Sequence, residues 1–316
     1  MPRLRLSLLL SLLIASSASG VTMDWTPIGD PGNACDPQPQ SYPSGGCFGA
    51  VGYGYSIGTY EVTNAQFAEF LNAKAASDPL ALYDSQMSVM QVGSSGSYQY
   101  VPVTGRETMP VNFVSFYSAM RFANWLNNGQ GSGSTETGAY TLLGGTATPS
   151  NGTTVTRNAG ATIALPTEDE WYKAAYYDSR STSYFDYPAG SNTATTCGAP
   201  TATPNSANCG FAVGDVVAVG SYSGSASPFG TYDQGGNVFE WSETLVAPGQ
   251  GTWRNTRNGS FDVGPAYLAA DSRGGFEPQN RMNIVGIRIA MIPEPSTGLL
   301  VVAGLIGLAG RRRARE

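Results

Sequence analysis

Apolar residues recur at helical spacing in three short stretches of the chain. In TNAQFAEFLNAKAA (63–76), Phe67, Phe70 and Leu71 share one face. Thr63 and Gln66 stand three apart at its start, the spacing of a capping box, so the pattern predicts a helix entered at Thr63. SFYSAMRFANWLNN (115–128) predicts a second helix. Ser115 is its N-cap, Met120, Ala123, Trp125 and Leu126 are partly in phase, and Asn127-Asn128-Gly129 ends it. LPTEDEWYKAAYYD (165–178) predicts a third. Thr167 and Glu170 form another capping box, Trp171, Ala174 and Ala175 a short apolar face, and Glu168 and Asp169 sit where a helix dipole favours negative charge. Other apolar runs are short and rich in Gly and Tyr. AVGYGYSIGTYEV (50–62) suits strands and turns, and AYTLL (139–143) predicts a strand. Residues 77–109, 129–162 and 179–230 carry turn residues without a sustained period. The pattern predicts an α+β domain, loop-rich, with short helices and strands.

The two ends follow different patterns. In residues 1–20, Arg3 and Arg5 precede an apolar run from Leu6 to Ala15 and then small residues, the order of a secretory signal peptide cleaved after Ala18 or Gly20. At the other end, Pro293-Glu294-Pro295 precedes an apolar run from Gly298 to Gly310, followed by Arg311, Arg312, Arg313 and Arg315. That run is shorter than the ~20 residues that comfortably cross a bilayer, and the positive-inside rule keeps the Arg cluster cytoplasmic. Residues 292–316 resemble a PEP-CTERM sorting tail. The resemblance implies export machinery and an exosortase as partners. It also implies a transient inner-membrane anchor, then the cell surface or extracellular matrix of a Gram-negative bacterium. The exported domain is then 21–291.

Composition narrows the chemistry. The 316 residues include 40 Gly and 20 Pro, with 41% hydrophobic and 13% charged residues, enough apolar material for a core between many turns. There is no His. That excludes a Ser-His-Asp or Cys-His nucleophile, a His general base and His-ligated zinc or iron. Lys74 and Lys173 both lack the Gly-Lys-Ser/Thr context of a phosphate loop. Removing 1–20 and 311–316 takes six Arg and one Glu, leaving 11 basic against 22 acidic residues, so the exported part is clearly acidic and no nucleic-acid partner is expected.

Four cysteines, Cys35, Cys47, Cys197 and Cys209, form an even set in an exported chain, which favours disulfides over redox-active thiols. Three connectivities are possible. The local pairs Cys35–Cys47 and Cys197–Cys209 are expected, each closing a Gly/Pro/Asn-rich loop and stabilising it by roughly 3 kcal/mol.

Six blocks carry a family resemblance: YEVTNAQFAEFLN (60–72), PVNFVSFYSAMRFANWLN (110–127), LPTEDEWYKAAYYD (165–178), FGTYDQGGNVFEWSE (229–243), RNGSF (257–261) and GIRIA (286–290). In this order they resemble the formylglycine-generating enzyme / sulfatase-modifying factor family over roughly residues 24–291. The resemblance implies a C-type-lectin-like fold. Sulfatase-activating members oxidise a substrate cysteine to formylglycine, using two copper-binding cysteines shortly after the block matched by RNGSF. Those positions fall near Val263 and Leu268, and no Cys follows Cys209. Iron-dependent sulfoxide-synthase relatives need His. No copper, iron or zinc is therefore expected.

The segment matched by YDQGGNVFEW implies a structural calcium, held by the side chains of Asp233 and Glu240 and the carbonyls of Gly236 and Val238. Calcium takes hard oxygen ligands of this kind at a Gly-rich turn. The alternative is a hydrogen-bonded turn with Glu240 paired to an Arg. A second family calcium site around Asn208 departs too far to assign. Glu168, Asp169 and Glu170 read as capping and dipole residues, Arg273 and Arg288 as ties between loops and carboxylates, and Trp125, Trp171 and Trp241 as packing. Trp253 and the loop tyrosines suit a saccharide or peptide surface. The expectation is a non-catalytic, calcium-stabilised binding or matrix protein, with an exopolysaccharide or an envelope protein as partner. The alternatives are a diverged enzyme of the family and a carbohydrate-binding lectin-like module.

Overall fold

The computed structural model describes residues 20–40, 46–246 and 253–293. Gly20 aside, the predicted signal segment lies outside them, as does the tail from Glu294 onward, including Glu294, Pro295, the apolar run and the Arg cluster. Among the described residues no helix is long and apolar enough to cross a membrane.

All three helices form where their caps predict. α1 spans Asn64–Lys74, α2 Phe116–Asn127 and α3 Glu168–Tyr176. Thr63 Oγ1 accepts from the Gln66 amide at 3.2 Å while Gln66 Oε1 accepts from the Thr63 amide at 2.9 Å. Thr167 and Glu170 make the same reciprocal pair at 3.0 and 2.8 Å. Ser115 Oγ caps α2 by accepting from the Ser118 amide at 3.1 Å. Each cap satisfies backbone donors that the first helical turn leaves open. α2 is buried on every side from Phe116 to Leu126, Arg121 and Asn124 included, rather than along one stripe.

Two small sheets organise the remainder. The first runs β1 (Trp25–Ile28), β2 (Tyr55–Gly58), β14 (Ala290–Met291), β5 (Ile163–Ala164). Pro27 lies on its edge strand, where a missing N–H costs no ladder bond. The second runs β12 (Gly274–Phe276), β11 (Arg254–Arg257), β10 (Phe239–Leu245), β13 (Val285–Gly286). Its outer neighbours pair antiparallel, β10 with β13 parallel, and the β10–β11 register shifts between Trp241 and Leu245. A hairpin, β3 (Val89–Val92) with β4 (Gln99–Pro102), packs on α1. The two-residue pairs β6 (Tyr177–Asp178) with β7 (Ser183–Tyr184) and β8 (Thr196–Cys197) with β9 (Ser206–Ala207) punctuate the long loop after α3.

The core joins α1 and α2 to the second sheet. Phe67, Phe70, Phe122 and Trp125 form one aromatic cluster with ring centroids 5.3 to 5.9 Å apart. Trp241 packs edge-on against Phe116 and Phe276, and its indole N–H reaches the Val114 carbonyl at 2.9 Å. Trp125, Trp171 and Trp241 are all buried.

AYTLL does not form a strand. Only Tyr140 makes a bridge, to Arg157. The buried Asn124 side chain takes the backbone of Tyr140 instead, accepting its N–H at 2.7 Å and donating to its carbonyl at 3.0 Å. Leu143 donates to Asn151 Oδ1. Side-chain amides thus do the work of a ladder. Loop 129–162 is further held by Arg121, which pairs with Glu136 and donates to the carbonyls of Thr146 and Ala147. Both expected disulfides, Cys35–Cys47 and Cys197–Cys209, are formed.

Candidate binding pocket and acidic turn

The segment 232–241 folds as a tight turn running into β10. Asp233, Gly236 and Asn237 all have positive φ, at 58, 88 and 62°. At Gly236 a Cβ would lie 2.3 Å from the Asn208 carbonyl oxygen, so only glycine fits there. Asn237 knits the turn to its surroundings, donating to Glu61 Oε2 at 2.8 Å and accepting from the Val217 amide at 3.0 Å.

Three of the four groups expected to hold calcium face one point: the Gly236 and Val238 carbonyls and the Glu240 carboxylate. The Asp233 side chain, however, points elsewhere and accepts from the Gly220 amide at 2.5 Å. The carbonyls of Gly236 and Val238 turn inward together with that of Asp233, and all three accept from one atom, Asn258 Nδ2, at 2.9, 2.7 and 2.8 Å. Glu240 Oε1 lies 3.5 Å from the same nitrogen. Glu240 is otherwise committed. Arg288 donates to both of its oxygens at 2.7 and 2.8 Å, and the Trp171 indole donates to Oε2 at 2.6 Å. Glu240 and Arg288 are fully buried. Calcium would sit 2.3–2.6 Å from these oxygens, in the volume the amide nitrogen fills. The residues as arranged do not fit a calcium ion. The turn closes through an amide and an ion pair.

The carboxyls of Glu61 and Asp233 both lie in this region. Burial pushes the Glu61 carboxyl well above the usual range, and Asp233 and Glu240 nearby push it further. Burial raises Asp233 to about 6, against the Gly220 N–H and Arg288, which hold it down. Glu61 Oε1 has no hydrogen-bonding partner among the described residues.

The first turn of α3 is a second knot of charge. Glu168 takes the guanidiniums of Arg257 and Arg273, at 2.6 and 2.5 Å. Glu170 takes Arg157 at 2.8 Å and the Tyr53 hydroxyl at 2.5 Å, while Asp169 accepts from the Gly49 amide at 2.8 Å. Capping and dipole roles were expected of these three acids; beyond the Glu170 cap they also tie the helix end to loops, while Arg273 and Arg288 tie loops to carboxylates as expected.

Beside this knot opens a pocket of about 230 Å³ between β10, β11 and β12. Phe239, Trp253, Tyr267 and Phe276 supply aromatic walls; Trp253 and Tyr267 are 45% and 56% exposed. Thr256 is fully buried in the lining, and its hydroxyl has no partner among the described residues. Gly274 and Gly275, on the strand paired with β11, also line it. A Cβ on Gly275 would meet Val246 at 2.2 Å, whereas one on Gly274 would sit 3.5 Å from Thr256 Oγ1, in ordinary contact. Arg257 also lines the pocket, but its donors all bond within the protein, to Glu168, Gln40 and the carbonyls of Ala270 and Ser272. The lining contains hydrogen-bonding and aromatic groups and, among the described residues, no carboxylate and no thiol. Trp253 was foreseen as a contact residue. Tyr267 falls among the loop tyrosines read the same way, whereas Thr256, Phe239 and Phe276 had no such reading, because no local pattern unites positions drawn from separate segments. Asn258 was quoted within RNGSF without a role.

The positions where a copper-binding pair is expected read Val263 and Leu268. Leu268 is fully buried, packed with Ala207 and Cys209 beneath the second disulfide. All four cysteines are bonded in disulfides, so the chain has no thiol to offer a metal.

Comparison with known proteins agrees with this picture of the fold. Residues 50–292 match the sulfatase-modifying factor enzyme 1-like domain, and residues 292–313 match the PEP-CTERM protein-sorting motif. A hercynine oxygenase of Mycobacterium tuberculosis is 32% identical over 148 residues, 42% of this chain and 33% of the relative. One of Mycolicibacterium smegmatis is 24% identical over 269 residues, 75% of this chain and 52% of the relative. The chain thus spans a third to about half the length of the curated relatives it matches. Among solved structures, CarF superposes with a TM-score of 0.59 at 20% identity, covering 86% of this chain and 99% of its own. Treponema denticola variable protein 1 superposes with a TM-score of 0.54 at 19% identity, covering 87% and 97%. The architecture is the C-type-lectin-like one implied by the six sequence blocks. With the match extending over most of its length, the chain belongs to the sulfatase-modifying factor enzyme 1-like domain family and carries a PEP-CTERM sorting motif at its end.

Proposed function

We propose that this protein is a non-catalytic, exported member of its family that binds a small uncharged ring-bearing group in the pocket between β10, β11 and β12. The observation that carries the reading is the pocket lining. A buried Thr256 hydroxyl without a partner among the described residues lies in the wall of an aromatic enclosure whose described residues include no carboxylate or thiol. An unsatisfied buried hydroxyl costs about 1–3 kcal/mol, a cost that a ligand hydroxyl or amide would remove. Aromatic faces stack on sugar rings and on aromatic side chains alike. Acid–base catalysis needs a titrating group near neutrality beside the reacting atoms, and copper chemistry of the family type needs thiolates. The described residues lining this pocket supply neither. The sorting motif supports exosortase-dependent sorting, which would place the pocket at the cell surface or in the matrix, facing exopolysaccharide or envelope protein.

The test is titration of the purified chain with methyl glucoside, methyl galactoside and phenol, followed by Trp253 fluorescence. Saturable binding of at least one probe is expected. Gly274→Ala, which inserts a methyl beside Thr256 without a backbone clash, is expected to abolish it. Thr256→Val is expected to weaken it tenfold or more while leaving the fold as stable or about 1 kcal/mol more stable. Absence of binding by every probe, or unchanged binding in Gly274→Ala, contradicts the proposal.

A further inference from the structure

We infer that the Asn258 side-chain amide takes the place of a divalent cation in the turn 233–240, so that this turn closes without metal and a cation site opens only when the amide is removed. Three backbone carbonyls, those of Asp233, Gly236 and Val238, and one carboxylate oxygen of Glu240 surround a single nitrogen. A primary amide has two protons to donate. Four inward-facing acceptors exceed that number, and a shell of carbonyl and carboxylate oxygens is the surrounding that a hard cation gathers. The enclosure has the chemistry of a cation shell with a neutral donor at its centre.

The backbone supports the same conclusion. Asn258 has φ 99° and Gly259 φ 72°, so the chain passes through two consecutive residues in a region that side chains disfavour. A glycine at 258 would adopt that conformation freely. The asparagine is buried and is held in it by the three carbonyl bonds of its own side chain. Strain of this kind persists only where surrounding contacts over-determine it. The Glu240 carboxylate, moreover, is already satisfied without a cation. Arg288 already balances Glu240 with both guanidinium contacts, and Trp171 takes a further lone pair. A dication would add two charges there, balanced only by the nearby Glu61 and Asp233 carboxyls once the amide is removed. The Asn258 amide supplies hydrogen bonds without that charge.

The experiment is thermal unfolding of the full chain and of Asn258→Gly and Asn258→Asp, each in excess EGTA and in millimolar calcium chloride, with calorimetric calcium titration of each. The wild-type midpoint is expected to be the same in both buffers, with no calcium heat. Asn258→Gly keeps the backbone conformation and empties the centre. In EGTA it is expected to unfold several degrees lower and in calcium to recover most of that loss, with about one calcium bound. Asn258→Asp, which places a carboxylate there, is expected to respond to calcium at least as strongly. A wild-type midpoint that falls in EGTA, or stoichiometric calcium binding by the wild type, overturns the inference. So does a calcium response in neither variant, or failure of both to fold in calcium.

Discussion

Asp233 illustrates how a single residue sets a measurable property. Its carboxyl is buried, accepts from the Gly220 amide, and faces Glu61, Glu240 and Arg288, with the phenols of Tyr60 and Tyr222 nearby. Burial raises it from 3.8 to about 6 in the fold. The folded protein therefore holds this proton more tightly than the unfolded chain does. The resulting stabilisation is full below the unfolded value and is lost as pH rises through about 6, a swing on the order of 3 kcal/mol. Glu61 shifts in the same direction. The midpoint of thermal unfolding is expected to be higher at about pH 5.5 than at about pH 7.5. In Asp233→Asn, which keeps an acceptor for Gly220, that difference is expected to shrink but not vanish, since Glu61 remains. An unaltered pH difference in the variant contradicts this account.

At the scale of elements, the first turn of α3 gathers more of the molecule than any other helix end. Thr167 caps it, Glu168 draws in Arg257 and Arg273, and Glu170 draws in Arg157 and Tyr53. Capping and ion pairing have different costs. Thr167→Ala removes one capping acceptor and is expected to cost about 1 kcal/mol. Glu170→Ala leaves the largely buried Arg157 with only Glu243 for charge and is expected to cost about 3–5 kcal/mol. Urea unfolding of the two variants measures both, and equal losses contradict the ordering. The cap was legible in the sequence because Thr167 and Glu170 lie within one helical turn. The roles of Glu168 and Glu170 as anchors for distant loops were not legible, since their partners come from residues far along the chain. AYTLL misled for a related reason. Its alternation suits a strand, but Asn124, on α2, satisfies the backbone of Tyr140 first. A side chain that replaces a ladder leaves no period to read.

For the whole molecule, the six ordered blocks carried the fold, and the two local disulfides followed from paired cysteines in turn-rich loops. The pocket was not legible. Its walls come from Phe239, from the β11 segment, from Tyr267 and from β12, and only the folded sheet brings them together. In the turn 232–241 the inward-facing Gly236 and Val238 carbonyls were legible, but the Asn258 amide that binds them was not. The occupant, Asn258, comes from the neighbouring strand's end, and an asparagine beside a glycine signals a turn more strongly than a ligand. The family's scaffold carries no free thiol in this chain: all four cysteines are paired, and Leu268 stands near where a copper-binding cysteine is expected. Mass spectrometry of a cysteine-containing sulfatase peptide, incubated with the purified chain, copper and oxygen, tests the proposed non-catalytic reading most directly. The account predicts a peptide mass unchanged from the control without protein and no copper retained by the chain. Conversion of the cysteine to formylglycine, or retention of about one copper per chain, would contradict it.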